Sequence, residues 1–314
     1  MAVLKDRYSF TPAEPAPCAR RTLRAAIAGV GRGLHSGRDV TMVLKPGAVG
    51  SGVVFCRSDL GVDVPGRFDL VTDTRLCTLI GEGAARVGTV EHLMAAVMAV
   101  GIDDLRVEVD AAELPIFDGS AAPFLFLLEA AGVVEHGGLR ERIEILRTVR
   151  VEANGTFAEL RPHRAGGAGF EVSLQIEFAA KAIGAQSYHF ALSESGFAEE
   201  IAPARTFAMR AEIEALRAAG LARGGSLANA VVVDGEAIVN PEGLRFEDEF
   251  VRHKLLDVIG DLALAGAPIS GRFVGCKTGH ALNNQLLRAL FADQGNYRVT
   301  NGSLAAQARQ LTAA

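Results

Sequence analysis

The sequence predicts an α+β fold, and three features of it do so. Short stretches of alternating apolar residues at 40–44, 105–109 and 170–176 read as strands with one buried face. Longer stretches with apolar residues three and four apart read as helices at about 90–100, 121–131, 210–219, 249–265 and 281–292. The two kinds of segment alternate without the regular rhythm of a doubly wound sheet, which favours strands and helices packed in two layers. With 314 residues the chain can bury a large core and divide into two domains.

In chain order, residues 1–19 are rich in Pro and Ala and are expected to form a loose extension. A strand-like stretch follows, then a turn-rich run, Gly29-Val30-Gly31-Arg32-Gly33-Leu34-His35-Ser36-Gly37. Leu34 stands where the last glycine of a G-x-G-x-x-G dinucleotide fingerprint would fall, and the segment after it is not helical, so that reading is set aside. His35 reads as a turn residue. Thr89 is of the type that caps a helix, directly before the 90–100 pattern. Asp118-Gly119 reads as a turn and Ser120 as a cap ahead of the 121–131 pattern. The polar, Gly-containing stretch 136–142 is the expected junction between a domain at 20–137 and a second at 138–300. Thr206 precedes the 210–219 pattern and reads, on local grounds, as its cap. The Ala-rich residues 301–314 are expected to form a loose tail.

Composition narrows the function. The chain is 49% hydrophobic and 22% charged, ordinary for a soluble globular protein. Its formal net charge of -5 argues against a nucleic-acid binder, whose affinity rests on a basic surface. Cys18, Cys56, Cys77 and Cys276 are scattered with no C-x-x-C pair, the pattern of free thiols in a reducing compartment. Residues 1–17 carry Asp6 and Glu14 and no apolar signal-peptide core. The apolar runs at 93–102 and 121–134 are too short, or broken by Glu129, to span a bilayer. The expectation is a cytoplasmic monomer with no transmembrane segment, still compatible with association at a membrane surface.

The chemistry concentrates in three places. In Arg252-His253-Lys254-Leu255-Leu256-Asp257-Val258-Ile259-Gly260-Asp261, the residues His253, Asp257 and Asp261 recur every fourth position and stack on one helix face. An imidazole and a carboxylate one turn apart suit a divalent metal such as zinc. The same spacing more often makes a surface hydrogen bond, but the flanking Leu255, Leu256, Val258, Ile259 and Leu262 leave a narrow polar face, more suited to a cleft than to open solvent. In Gly88-Thr89-Val90-Glu91-His92, a glutamate sits beside a histidine in the first turn of a helix, so one can bind a metal while the other reaches the attacking water. The plainer reading of that pair is a helix start favoured by the dipole. Together the two segments offer His92, His253 and Asp257, three ligands with a fourth position open, as in catalytic zinc sites. The third place is Lys277-Thr278-Gly279-His280. A histidine at a helix start is usually a packing or capping residue; the functional reading is a general acid supported by Asp261. The helix N-terminus disfavours the imidazolium, so that reading requires the carboxylate partner. Lys254 and Lys277 would add positive charge for phosphate, or be solvated surface amines. Thr206 reads first as a cap; in a metal site its hydroxyl could instead hydrogen-bond a developing oxyanion. His136, His163 and His189 show no partners in the sequence and receive no role.

Taken in order, seven segments resemble the UDP-3-O-acyl-N-acetylglucosamine deacetylase family, zinc amidases of lipid A biosynthesis. They are Gly33-Leu34-His35-Ser36-Gly37, Thr89-Val90-Glu91-His92-Leu93-Met94, Pro115-Ile116-Phe117-Asp118-Gly119-Ser120, Ala204-Arg205-Thr206-Phe207, Gly224-Gly225-Ser226-Leu227, the run from Leu244 to Asp257, and Gly279-His280-Ala281-Leu282-Asn283-Asn284. Each is weak alone; the ordered set, spanning about residues 20–300, is specific. The resemblance implies two domains of similar architecture, each a sheet layered on two helices, with the site in the cleft between them. It implies one Zn2+ per chain on His92, His253 and Asp257, with Glu91 as general base, His280 as general acid backed by Asp261, and Thr206 at the oxyanion. It also implies Lys254, Lys277, Phe178, Phe207 and Met209 as substrate-binding positions, and an inserted acyl-chain region near 208–231. The implied reaction hydrolyses the N-acetyl group of UDP-3-O-(3-hydroxyacyl)-N-acetylglucosamine. The chain departs from the family pattern at residues 1–19, which extend beyond the usual start, at Ala208 and Met209, where glycine and a larger aromatic are common, and at Glu177, where aspartate is usual.

Overall fold

The computed structural model describes residues 19–164 and 167–301, so the expected loose segments 1–19 and 301–314 lie outside the described residues except for Ala19 and Asn301, each of which is in a strand. The first group of strands is β1 (Ala19–Leu23), β2 (Ile27–Arg32), β3 (Asp39–Pro46), β4 (Val53–Arg57), β5 (Val62–Pro65), β6 (Val71–Asp73), β7 (Leu79–Ile80), β8 (Leu105–Val109) and β9 (Val133–Leu139). They form a five-stranded sheet in the order β2-β3-β8-β4-β5 and the pairs β1-β9 and β6-β7. Helices α1 (Glu91–Val100) and α2 (Ala122–Ala131) belong to the same stretch of chain.

The second group is β10 (Glu141–Ile145), β11 (Val149–Ala153), β12 (Thr156–Arg161), β13 (Phe170–Glu177), β14 (Ala185–Ala191), β15 (Phe207–Met209), β16 (Val231–Asp234), β17 (Ala237–Ile238), β18 (Ile269–Cys276) and β19 (Tyr297–Asn301). Its helices are the single turn α3 (Glu194–Gly196), then α4 (Arg210–Ala218), α5 (Glu249–Ala263) and α6 (His280–Phe291). The long strand β18 organises a seven-stranded sheet, parallel to β10 and β13 and antiparallel to β12. A separate three-stranded sheet, β15-β16-β17, carries α4. Among the described residues no strand before residue 140 pairs with one after it.

The architecture is α+β, as the alternation of patterns predicts. In β3 the residues Val40, Met42 and Leu44 are fully buried while Asp39 and Thr41 face out. Helix α1 ends where Gly101 turns left-handed (φ 76°) and its N–H returns to the carbonyl of Val97. Helix α2 packs on β2 and against α1, while α5 packs on β13 and β14 and against α6. The two groups meet where α1 crosses α5, and one hydrophobic core runs through both. The crossing is very close. A Cβ on Gly260 of α5 would lie 1.9 Å from the carbonyl oxygen of Glu91, so only glycine admits this approach.

Four expectations need correction. The run Gly29–Gly37 is not one turn: Gly29, Val30, Gly31 and Arg32 lie in β2, whose pairing with β3 absorbs the glycines. The turn begins at Gly33. Thr89 does not cap α1. It adopts a left-handed conformation (φ 58°), its buried hydroxyl has no hydrogen-bond partner, and Val90 takes the cap position. Thr206 does not cap α4 either: it leads into β15, with its N–H on the carbonyl of Gly119 and its carbonyl on the N–H of Val231. The histidines without assigned partners do have them, supplied by distant segments. His136 meets the fully buried Asp104 at 2.8 Å, His163 the carbonyl of Gly169 at 2.8 Å, and His189 the hydroxyl of Ser173 at 2.9 Å.

Gly260→Ala forces backbone against backbone, and no side-chain rotation relieves it. The substitution is expected to destabilise the protein by about 2–3 kcal/mol. Thermal unfolding of the variant checks this; a wild-type value would refute the close-crossing account.

Candidate active site

The crossing of α1 and α5 determines which side chains converge. Glu91 and His92 lie in the first turn of α1, and His253, Asp257 and Asp261 follow one another along the face of α5 turned towards it. All five are buried. Ligand atoms of His92, His253 and Asp257 lie within 4.8 Å of one another. Asp257 Oδ1 is 3.7 Å from His92 Nε2 and 3.5 Å from His253 Nε2, and the two imidazoles stand edge to face at 5.0 Å. Asp257 Oδ1 and His92 Nδ1 are buried with no hydrogen-bond partner. A buried carboxylate oxygen facing two ring nitrogens without a proton bridge is costly unless a cation joins them. Tetrahedral zinc, with bonds of about 2.0–2.1 Å, sets its ligand atoms roughly 3.3 Å apart, close to the observed separations. The residues fit a metal.

The surroundings prepare them for it. The other ring nitrogen of His253 lies 3.1 Å from the carbonyl of Ala204, which orients the ring and leaves Nε2 towards Asp257. The carbonyl of Ala204 is itself steadied by its neighbour. Arg205 donates from both its backbone and its guanidinium to Glu249, one turn ahead of His253 on α5, in a fully buried pair. Lys254 donates to Asp257 Oδ2 at 2.7 Å and leaves Oδ1 free. Burial opposes ionisation of Asp257, but Lys254 and the surrounding histidines outweigh it and hold the carboxyl well below the usual carboxylate range. Burial, then the neighbouring His253, lowers His92 to about 3, and burial likewise lowers His253. Two neutral imidazoles and one carboxylate are the protonation states a zinc site requires.

Two further groups flank this cluster. Glu91 is raised to about 7, chiefly by burial, and its Oε2 accepts the backbone N–H of Thr78 at 3.0 Å. His280, the first residue of α6, meets Asp261 Oδ2 through Nδ1 at 2.9 Å. Burial lowers its affinity for a proton, yet Asp261, with Asp257 and Glu91 beyond it, raises it to about 9. The carboxylate requirement set by the helix N-terminus is therefore met. Asp261 also accepts from the hydroxyl of Thr78 and from Asn283 Nδ2 at 2.8 Å, and Asn283 in turn accepts from Thr278 at 2.6 Å. Thr78 carries no motif in the sequence. Asn283 lies in the Gly279–Asn284 segment, but nothing in the spacing identifies its partner.

The remaining candidates lie outside this core. Phe207 packs edge-on to Phe178 (5.4 Å) and Phe250 (5.0 Å) and faces the His253 ring at 6.3 Å. Met209 ends β15 opposite Val233. Lys254 is engaged by Asp257, and Lys277 donates to Glu177, beside Phe178, at 2.7 Å. Thr206 is half-buried, and its neighbour Gly119 lies against the backbone of Asn229. His35 keeps a loop position, with its N–H on Glu113 Oε2 at 3.0 Å. Helix α4, within the 208–231 region, buries none of its residues, and Ile213 and Leu216 are half-buried.

Three relatives and a family model resemble this chain. The model described as UDP-3-O-acyl N-acetylglycosamine deacetylase (LpxC) matches residues 20–292. The UDP-3-O-acyl-N-acetylglucosamine deacetylase of Anaeromyxobacter sp. (strain Fw109-5) is 48% identical over 280 residues, covering 89% of this chain and 91% of that protein. The proteins of the same name from Anaeromyxobacter dehalogenans and Shewanella frigidimarina are 47% and 45% identical, each alignment covering at least 90% of both chains.

A carboxyl that titrates near 7 when folded and near 4.5 when unfolded makes the metal-free protein lose stability as pH rises. Below 4.5 both states hold the proton; from there through 7 the unfolded chain releases a proton that the folded chain keeps. Glu91→Gln is therefore expected to stabilise the metal-free protein by up to roughly 3 kcal/mol at pH 8 and to leave it unchanged at pH 4. Denaturant unfolding at the two pH values decides it.

Proposed function

The chain belongs to the UDP-3-O-acyl N-acetylglycosamine deacetylase family, and from that premise we propose that it hydrolyses the N-acetyl group of UDP-3-O-(3-hydroxyacyl)-N-acetylglucosamine. The products are UDP-3-O-acyl-glucosamine and acetate, and the reaction is the committed step of lipid A biosynthesis. The observation that carries this reading is the convergence of His92, His253 and Asp257 with Glu91 on one side and the Asp261–His280 pair on the other.

His92, His253 and Asp257 would hold one zinc ion per chain. When bound, zinc supplies a Lewis acid that polarises the acetyl carbonyl and makes water a better nucleophile at neutral pH. Glu91, held by the amide of Thr78, takes a proton from the attacking water. The hydroxyl of Thr206 donates to the developing oxyanion; losing one such donor typically costs about 3 kcal/mol. His280 carries the proton that the leaving amine requires. Its Nδ1 is held on Asp261, so Nε2 is the proton-delivering atom. The C–N bond breaks, the amine leaves protonated, and acetate remains.

Lys277 beside Glu177 and Phe178 offers a cation and an aromatic face to the nucleotide, and Lys254 lies beside the reacting centre. Phe207, Met209 and the half-buried side of α4 offer apolar surface to the acyl chain, which agrees with a helix that buries nothing in the core.

Acetate release from UDP-3-O-(3-hydroxymyristoyl)-N-acetylglucosamine should fall on chelation and return with one equivalent of zinc. Inactivity of the folded, zinc-loaded protein would reject this substrate. Glu91→Ala and His280→Ala should fold, keep zinc and lose about 10²- to 10⁴-fold in kcat. With His280 raised by its Asp261 partner, the kcat/KM profile should fall on the basic side as the acid loses its proton. That limb should be absent in His280→Ala.

A further inference from the structure

Thr78 is buried at the threshold of β7, and each of its polar groups is committed in a different direction. Its N–H donates to Glu91 Oε2 at 3.0 Å. Its carbonyl accepts the N–H of Val90, the cap residue of α1. Its hydroxyl donates to Asp261 Oδ1. Two residues on, Ile80 and Val87 exchange both backbone hydrogen bonds at 2.9 Å, which ties this short strand to the segment leading into α1. Thr78 therefore sits on a braced backbone and touches the side chains of both Glu91 and Asp261.

The consequence for Asp261 follows from how a carboxylate rotates. The last torsion of an aspartate is broad and roughly two-fold, so pinning one oxygen leaves the other free to swing. Here Oδ2 carries both His280 Nδ1 and Asn283 Nδ2, while among the described residues Oδ1 is held by Thr78 alone. Without the hydroxyl, Oδ1 would be a buried acceptor with no donor and would turn towards one of the donors now on Oδ2. The His280 ring would lose its fixed acceptor. Replacing Thr78 by valine removes this interaction and leaves the amide on Glu91 in place.

We propose that Thr78 is a positioning residue that holds Glu91 and the Asp261–His280 pair in one frame, its hydroxyl fixing the Asp261 carboxylate and thereby the direction of the His280 ring. This rests on the reading of Glu91 as base and His280 as acid.

The test is a double-mutant cycle on the zinc-loaded enzyme, with kcat, KM and zinc content measured for Thr78→Val, Thr78→Ser, His280→Ala and Thr78→Val/His280→Ala. Thr78→Val should lower kcat by about 10- to 100-fold with KM and zinc content unchanged. Thr78→Ser should recover most of the loss. In the His280→Ala background, Thr78→Val should cost little more, because the group it positions is gone. In the metal-free protein, the low-field NMR signal of the His280 Nδ1 proton should be lost to solvent exchange in Thr78→Val and return in Thr78→Ser. If valine does not fold, Thr78→Ala, which removes the same hydroxyl, takes its place in the cycle. Wild-type turnover in the hydroxyl-free variant, or an equal loss with and without His280, overturns the inference while leaving the acid assignment intact. Wild-type turnover in His280→Ala overturns both.

Discussion

Everything at this site depends on the contact between the backbone of Glu91 and Gly260. The residues that would bind metal are divided between α1 and α5, helices contributed by two separately paired groups of strands. They can share one ion only if the helices cross closely, and the crossing leaves no room for a Cβ at Gly260. The same contact places Glu91 beside the cluster, because Glu91 precedes His92 and its carbonyl is the atom packed on the glycine. A single steric condition thus aligns Glu91 with His92, His253 and Asp257.

Burying so many polar groups is costly, and the structure compensates them almost one by one. Lys254 takes one oxygen of Asp257, Ala204 takes one nitrogen of His253, and Asp261 has three donors. Asp257 Oδ1 and His92 Nδ1 remain without partners. Behind this layer stands the buried Arg205–Glu249 pair, which ties the segment leading into β15 to the start of α5 and so keeps the Ala204 carbonyl on His253. Two residues flanking the site, Thr89 and Lys277, hold left-handed conformations uncommon for residues other than glycine. Strain of that kind persists where the surrounding structure over-determines the backbone.

Environment also separates the proton affinities of Glu91 and His280. Glu91 and His280 are both buried, and burial disfavours the charged form of each. It raises the carboxyl of Glu91. At His280 the carboxylate of Asp261 reverses it. One group is thereby tuned to accept a proton and the other to donate one near neutral pH, a division of roles that depends on partners more than on residue type.

The α+β class and the five longer helices were legible in the sequence, because apolar periodicity reports which face of a segment is buried. The spacing of His253, Asp257 and Asp261 determined that they share a helix face, since that relation depends only on helical pitch. The pairing of Glu91 with His92 was legible for the same local reason. The sequence did not determine the partners brought in by tertiary contact. Thr78, from a short strand without a motif, reaches Glu91 and Asp261, residues 13 and 183 positions away. Asp104 reaches His136, and Ala204 reaches His253. Thr206 misled for a related reason: the local preference for a cap gave way to backbone bonds made with Gly119 and Val231. At Thr89 the left-handed backbone leaves the cap position to Val90. Local pattern determines which side chains share a face; only the packing of helices and strands determines what that face meets.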